Sequence, residues 1–279
     1  MFTRRDVLKR VVAYGGLGLG SGLYAWRLEP HWLEIVERPL PIANLPKDLV
    51  GSTLAQLSDL HIGPRVDDGY LRNVFDRVRQ LSPDFVVYTG DLTDLRPSHL
   101  DHAASLIPHL PLGRLGTFGS FGNHDYGPDW RYPQIATRVA VLAKASGIAM
   151  LRNETAEIKG LHFAGLDDLW AGRFRPEAAF ANVPSRVATI ALSHNPDTAD
   201  HPDWGSFSGW ILAGHTHGGQ CKPPFLPPPV LPVENRRYTA GEFALSGGRT
   251  MYISRGVGHT MQVRFNVRPE VTLFRLTAV

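Results

Sequence analysis

The chain has 279 residues, 43% of them hydrophobic and 20% charged, enough to bury a sizeable core in one large domain. Its formal net charge of +3 is uneven: residues 1–27 hold Arg4, Arg5, Lys9, Arg10 and Arg27 against Asp6 alone. The remainder is therefore slightly acidic, which argues against a nucleic-acid-binding face, and the single cysteine, Cys221, excludes an intrachain disulfide or a cysteine-built zinc site.

The chain opens on "MFTRRDVLKRVVAYGGLGLGSGLYAW", a basic start followed by a glycine-rich, modestly apolar run from Val11 to Trp26. That run is shorter than the ~20 apolar residues of a spanning helix and reads as an export signal. "TRRDVLK" resembles the twin-arginine signal, with Val7 where phenylalanine is common. Glycines at 15, 16, 18, 20 and 22 argue against an amphipathic helix. "LYA", ending at Ala25, is a poor cleavage site. Residues 1–27 are therefore expected to be a signal or a retained membrane anchor. They would engage the twin-arginine translocase and leave the protein in the cell envelope, in the periplasm or on the outer face of the inner membrane.

Residues 28–279 read as one catalytic-size domain, expected to be monomeric. "LEIVERPLPIANLPKDLVG" looks like an edge strand with a proline-marked connection. Apolar runs ending on polar residues then recur: "TLAQLSDLHIG", "DFVVYTGDLTD", "GTFGSFGNHDYG", "LHFAGLDDLW", "VATIALSHNPD" and "GWILAGHTHGG". Helical spacing fills Tyr70 to Leu81, His99 to Leu110 and Tyr132 to Ala145. Strand, loop, helix, strand predicts an α/β domain with mostly parallel, buried strands. After Arg236, "YTAGEF", "TMYISRG", "VRFNV" and "EVTLFRL" predict short strands of a second sheet.

In open α/β sheets ligands bind beyond the carboxyl ends of the strands. Five runs end there in potential metal ligands: Asp59 and His61, Asp91, Asn123 and His124, His194, then His215 and His217. A lone aspartate after a strand is usually a helix N-cap, which accounts for Asp94 and Asp197; a lone histidine is usually a hydrogen-bonded loop residue. Five endings in series point to convergence. Asp59, His61, Asp91 and His217 could surround one ion, and Asp91, Asn123, His194 and His215 a second, with Asp91 bridging. Imidazole, carboxylate and amide oxygen without thiolate suit Mn²⁺, Fe or Zn²⁺. His215 and His217, at i and i+2 on an extended segment, would share one face, with Gly214, Gly218 and Gly219 allowing close backbone approach.

"DLH", "GDLTD", "GNHD", "SHNPD" and "GHTH", in that order from Asp59 to His217, resemble the motif set of the calcineurin-like metallophosphoesterase superfamily. "GHTHGGQ" and the tail "ISRGVGHTMQVRFNVRPEVTLFRL" resemble its bacterial, twin-arginine-exported envelope branch. That branch is similar to enzymes cleaving the diphosphate of UDP-2,3-diacylglucosamine in lipid A biosynthesis. The resemblance implies an α/β/β/α sandwich of two mixed sheets flanked by helices, a two-metal centre, and His124 as a catalytic rather than ligating histidine.

Water coordinated between two such ions is acidified from ~15.7 to ~7 and becomes a nucleophile for phosphorus. His124 would assist the leaving oxygen, and Asp125 would either orient that imidazole or cap the next turn. Arg236 and Arg255 are candidate phosphate contacts. The loop "KPPFLPPPVLP" is a packed connector or an apolar lip for an acyl chain. A phosphodiesterase or pyrophosphohydrolase acting on a phosphoester, with a lipid-linked diphosphate as one candidate, fits these features. The competing readings are a phosphomonoesterase or nucleotidase, and a non-catalytic envelope-binding module built around a metal centre.

Overall fold

The alternating runs form two six-stranded sheets packed face to face. The computed structural model describes residues 3–279 apart from 95, 97 and 98, so Met1 and Phe2 at the head of the leader lie outside the described residues. In chain order the first strands are β1 (Glu34–Ile42), β2 (Thr53–Leu57), β3 (Phe85–Thr89), β4 (Gly116–Ser120), β5 (Ala149–Met150) and β6 (Glu154–Ile158). They are followed by β7 (Leu161–Gly165), β8 (Thr189–Leu192), β9 (Gly209–Ala213), β10 (Gly241–Ala244), β11 (Arg249–Ile253) and β12 (Glu270–Ala278). One sheet runs β1-β12-β2-β3-β4-β5 and the other β10-β11-β9-β8-β7-β6. Both are mixed: β12 against β2, β10 against β11 and β6 against β7 are antiparallel, and the remaining pairs are parallel.

The central strands bury both faces, which is why they read as continuous apolar runs. Between the sheets lie Leu54, Phe85, Val87, Phe118, Phe163, Ile190, Leu212 and Phe274. On the outer face of the first sheet, Ala55, Leu57 and Val86 meet α2 (Asp68–Leu81), α3 (Leu100–Leu106) and α4 (Pro133–Ala145) through Val74, Phe75, Leu106 and Val139. On the outer face of the second, Ala191, Ile211 and Ile253 meet α5 (Pro176–Phe180) and a short turn carrying Trp204. The result is the α/β/β/α sandwich. Its three predicted helices sit where the spacing put them; α2 is capped by Asp67, whose side chain accepts from the Tyr70 amide.

Three expectations change. "VRFNV" forms no strand, contributing only a single bridge from Phe265 to Cys221. "EVTLFRL" is a strand, β12, but it joins the first sheet, parallel to β1 and antiparallel to β2. Alternation identifies a strand without naming its partner. The glycine-rich leader is also helical, as α1 (Arg4–Leu23), continuing as a π-turn over Tyr24–Leu28. A glycine costs a helix ~1 kcal/mol relative to alanine without forbidding it. A side chain at any of those five positions would meet nothing within 4 Å, so the glycines serve no packing need. Among the described residues no helix is long and apolar enough to cross a membrane.

Contacts run across the expected boundary at residues 27 and 28. The Arg264 amide donates to the Ala25 carbonyl at 2.9 Å and the Gln262 amide side chain to that of Trp26 at 3.4 Å. Glu29 is fully buried and accepts from the Val267 amide.

Candidate metal centre

The parallel strands β2, β3 and β4 of one sheet and β8 and β9 of the other end at a common edge. Backbone hydrogen bonds stitch the loops there: Asp59 N to Gly90 O, His61 N to Asp91 O, and Gly214 N to His194 O, each 3.0–3.1 Å. Gln56 ties the sheets together, its amide donating to the Thr89 hydroxyl and the Ala213 carbonyl. Of the seven expected ligands, Asp59, His61, Asp91, His215 and His217 have φ between 48° and 71°. Left-handed backbone at a non-glycine residue costs about 1–3 kcal/mol and persists where surrounding structure enforces it, typically at functional sites. His215 and His217 therefore lie beyond β9 on a sharply turned segment, not on one face of a strand. Gly122 and Gly214 are required by proximity: a Cβ at the first would strike Asp91, and at the second Ser58 and Asp59.

All seven side chains are buried, and all but that of Asn123 gather in two adjoining groups. In one, His61 Nε2 and His217 Nε2 are 3.1 Å apart, and His217 Nε2 is 3.3 Å from Asp59 Oδ1. In the other, His194 Nε2 lies 3.1 Å from His215 Nδ1 and 3.2 Å from Asp91 Oδ2. Asp91 Oδ2 is also 3.7 Å from His61 Nε2, so this carboxylate joins the groups.

The outer ring nitrogens define which atoms face inward. His194 Nδ1 donates to the Thr89 carbonyl at 2.8 Å, leaving Nε2 as the lone-pair atom. His215 Nε2 donates to the Pro232 carbonyl at 2.8 Å, leaving Nδ1 inward. Asn123 Oδ1 is buried without a hydrogen-bond partner, an acceptor lacking a donor in the protein. Lone pairs and carboxylates gathered together, with an orphaned amide oxygen on the loop that carries His124, are the chemistry of a cation-binding centre. The residues present fit two divalent ions.

Electrostatics agree with that fit at three of the imidazoles, His194 being the exception. Burial lowers His61 and His215 to about 3 and His217 further, so these imidazoles stay neutral. Burial raises Asp59 to about 6. Burial opposes charge on His194, but Asp91 beside it outweighs that and raises it to about 10, while His194 holds Asp91 well below the usual carboxylate range. A cation would compete with the His194 proton for the same electron pair.

His124 adjoins the first group: its ring lies 4.8 Å, edge-on, from that of His61, and with His61 and Asp94 it makes a third set of side chains close enough to hold an ion. Its Nδ1 lies 3.2 Å from Asp94 Oδ1, and its backbone amide donates to Asp91 Oδ1 at 2.8 Å. The imidazole is thus oriented by Asp94, not Asp125. Asp125 is fully buried and takes donors from the Gly122 and Thr93 amides and the Thr93 hydroxyl, capping its own turn. Among the described residues Asp94 is held by side chains: Arg65 clamps it at 2.6 Å and His124 shares it. Neither expected arginine points freely at phosphate. Arg255 is paired with Glu34 at 2.9 Å and with Glu270. Arg236 donates to the Pro228 and Pro229 carbonyls, bracing the proline-rich loop.

Two residues beyond the sequence reading belong to this neighbourhood. Arg264 is fully buried, donates to the Arg255, Gly256 and Gly258 carbonyls, and reaches His217 Nδ1 at 3.4 Å. Trp170 sets its ring edge-on to His215 at 4.4 Å. A single arginine in "VRFNV" and a tryptophan in "LDDLW" carry no spacing signal that would have found them.

The model of the calcineurin-like phosphoesterase family matches residues 52–219, which hold every expected metal ligand. The chain is 33% identical to the metallophosphoesterase YkuE of Bacillus subtilis over 98% of its own length and 97% of that protein's. It is 33% identical to the phosphodiesterase YaeI of Escherichia coli, covering 99% and 100% of the two chains. It is 28% identical to the UDP-2,3-diacylglucosamine pyrophosphatase LpxG of Chlamydia trachomatis, covering 91% and 92%.

Proposed function

The chain belongs to the calcineurin-like phosphoesterase family, generally metal-dependent hydrolases with a dinuclear centre, and from that premise we propose that it is a phosphodiesterase or pyrophosphohydrolase of the cell envelope. Asp59, His61 and His217 would hold one ion, Asn123, His194 and His215 the other, and Asp91 both; Mn²⁺, Fe and Zn²⁺ all suit this donor set. The observation that carries the reading is Asp91 Oδ2, 3.2 Å from His194 and 3.7 Å from His61, which makes one carboxylate common to both groups. When bound, two divalent ions would neutralise charge on the phosphoryl oxygens and supply a nucleophile at neutral pH.

His124 carries the remaining chemistry. Held by Asp94 at one ring nitrogen, it presents the other, Nε2, to the departing oxygen and donates a proton or a hydrogen bond there. The backbone bond from His124 N to Asp91 Oδ1 keeps this imidazole in register with the shared carboxylate.

A diester or diphosphate is favoured over a monoester by the names of two relatives, a phosphodiesterase and a UDP-2,3-diacylglucosamine pyrophosphatase. A lipid-linked diphosphate is the refinement. It gains support from the exposed Phe225, Leu226 and Val230 of the proline-rich loop, which leaves the site at Cys221 and returns to brace His215 through Pro232. The basic leader would direct the folded protein through the twin-arginine translocase and hold it at the membrane surface. The test is kcat/KM of metal-reconstituted protein on bis-nitrophenyl phosphate against nitrophenyl phosphate, then on acylated against deacylated diphosphates. Preference for the monoester overturns the reaction class; indifference to acyl chains removes the lipid.

A further inference from the structure

One loop runs from the centre to its rim. It begins with Asn123 and His124, turns at Gly127 (φ 70°), and ends in Asp129 and Trp130, both left-handed at φ 53° and 58°. Trp130 N bonds to Gly127 O at 3.1 Å, and Tyr132 N to Tyr126 O at 2.9 Å. Two consecutive strained residues on an exposed turn, the second a tryptophan still 36% exposed, are retained only where something holds the ring in place.

That something is a second loop. Tyr126 donates its hydroxyl to Asp167 at 2.5 Å, tying the first loop to the segment after β7. Asp168 there accepts from the Ala171 amide at 2.7 Å, shaping the turn that carries Trp170. The Trp170 ring lies 4.7 Å from that of Trp130 and 4.4 Å, edge-on, from the His215 imidazole. A continuous aromatic surface therefore runs outward from a ligand of the second group, from the same loop that carries His124.

We propose that Trp130 and Trp170 form a stacking shelf for a planar ring of the substrate, a nucleobase separated from the scissile phosphate by its sugar. The proposal rests on the phosphodiesterase reading and names one arm of its substrate, a nucleoside phosphate. Indole faces favour flat π-systems over saturated chains, because offset stacking adds to area burial. The two ring contacts, 4.4 and 4.7 Å in succession, link the half-exposed outer indole to His215 through Trp170.

Calorimetric titration of the metal-loaded protein with uridine monophosphate, ribose 5-phosphate and dodecyl phosphate tests the shelf. Uridine monophosphate should bind roughly tenfold or more tighter than ribose 5-phosphate, the worth of one base on an aromatic platform. Trp130→Ala should bring the two to parity, and Trp130→Phe should keep most of the difference. Equal affinities in the parent, no binding of any ligand, tightest binding of dodecyl phosphate, or a preference that survives Trp130→Ala would each overturn the proposal. Hydrolysis of bis-nitrophenyl phosphate by the same preparation separates the two readings. Activity without base preference removes the shelf alone, whereas no activity with both ions bound removes the phosphodiesterase.

Discussion

Asp94→Asn isolates the positioning of His124. The carboxylate lies 3.2 Å from His124 Nδ1 and 2.6 Å from Arg65, whose side chain is half-exposed. Losing an exposed arginine partner costs little, about 0–1 kcal/mol, so the variant should fold and keep its metals. Losing the charge opposite His124 removes a charge-assisted hydrogen bond of about 1.5–3 kcal/mol, or roughly ten- to 150-fold in kcat/KM. Removing the imidazole itself with His124→Ala should cost about 10²–10⁴. If Asp94 acts only through His124, the double variant should be no slower than His124→Ala alone, since residues acting as one unit do not add. The assay is kcat/KM on aryl methyl phosphates of graded leaving-group basicity, alongside metal content by elemental analysis. Both single variants should lose most on the poorest leaving group. A further tenfold loss from Asp94→Asn in the His124→Ala background, equal losses across the series, or missing metal in Asp94→Asn would refute the assignment.

Elemental analysis should also show Asp91→Asn with both ions depleted and Asn123→Ala deficient in one, because Asp91 faces both groups; equal deficits would undo the division. Gly214→Ala forces a methyl into Ser58 and Asp59, so it should lose metal and about 1–3 kcal/mol of stability, read as Tm; a normal Tm and full metal content would show that the loop yields freely. Burial lowers His259 from 6.5 to about 4, so its contribution, at most about 3 kcal/mol, is complete above pH 6.5 and lost as pH falls towards 4. His259→Gln should flatten the decline of the denaturation midpoint across that interval, and an unchanged slope would place the acid sensitivity elsewhere. Changing Arg4 and Arg5 to lysine should leave the folded protein in the cytoplasm on cell fractionation; unchanged export would remove the twin-arginine reading.

What the sequence made legible follows from what periodicity and residue chemistry encode. The apolar runs named β2, β3, β4, β7, β8 and β9, because buried parallel strands have no polar face to interrupt them. They could not say that β12 threads between β1 and β2, since partner choice depends on chain closure rather than on local pattern. The ligand-type residues were readable because each ends a strand at one edge of the fold. Their left-handed backbone was not, because aspartate and histidine, unlike glycine, do not announce it. Asp94 and Asp125 show the limit at its clearest. Both are aspartates shortly after a strand, and aspartate both caps turns and orients histidines. Asp125 sits beside His124 in sequence yet turns back to the Gly122 and Thr93 amides, while Asp94, thirty positions away, holds the ring.

The same limit applies at the leader, where composition changes at Arg27 but packing does not. Tyr24 meets Phe265 edge-on, the Ala25 carbonyl accepts from Arg264, and Glu29 caps the Val267 amide in full burial. Arg264 in turn gathers the Arg255, Gly256 and Gly258 carbonyls and reaches His217. Val257 and Gly258 donate to the Ser58 and Asp59 carbonyls from behind the first ligand loop. A chain of hydrogen bonds therefore joins the root of the N-terminal helix to Asp59 and His217. Tyr24, Ala25 and Glu29 thus pack behind the loops of Asp59 and His217, although the composition changes only at Arg27.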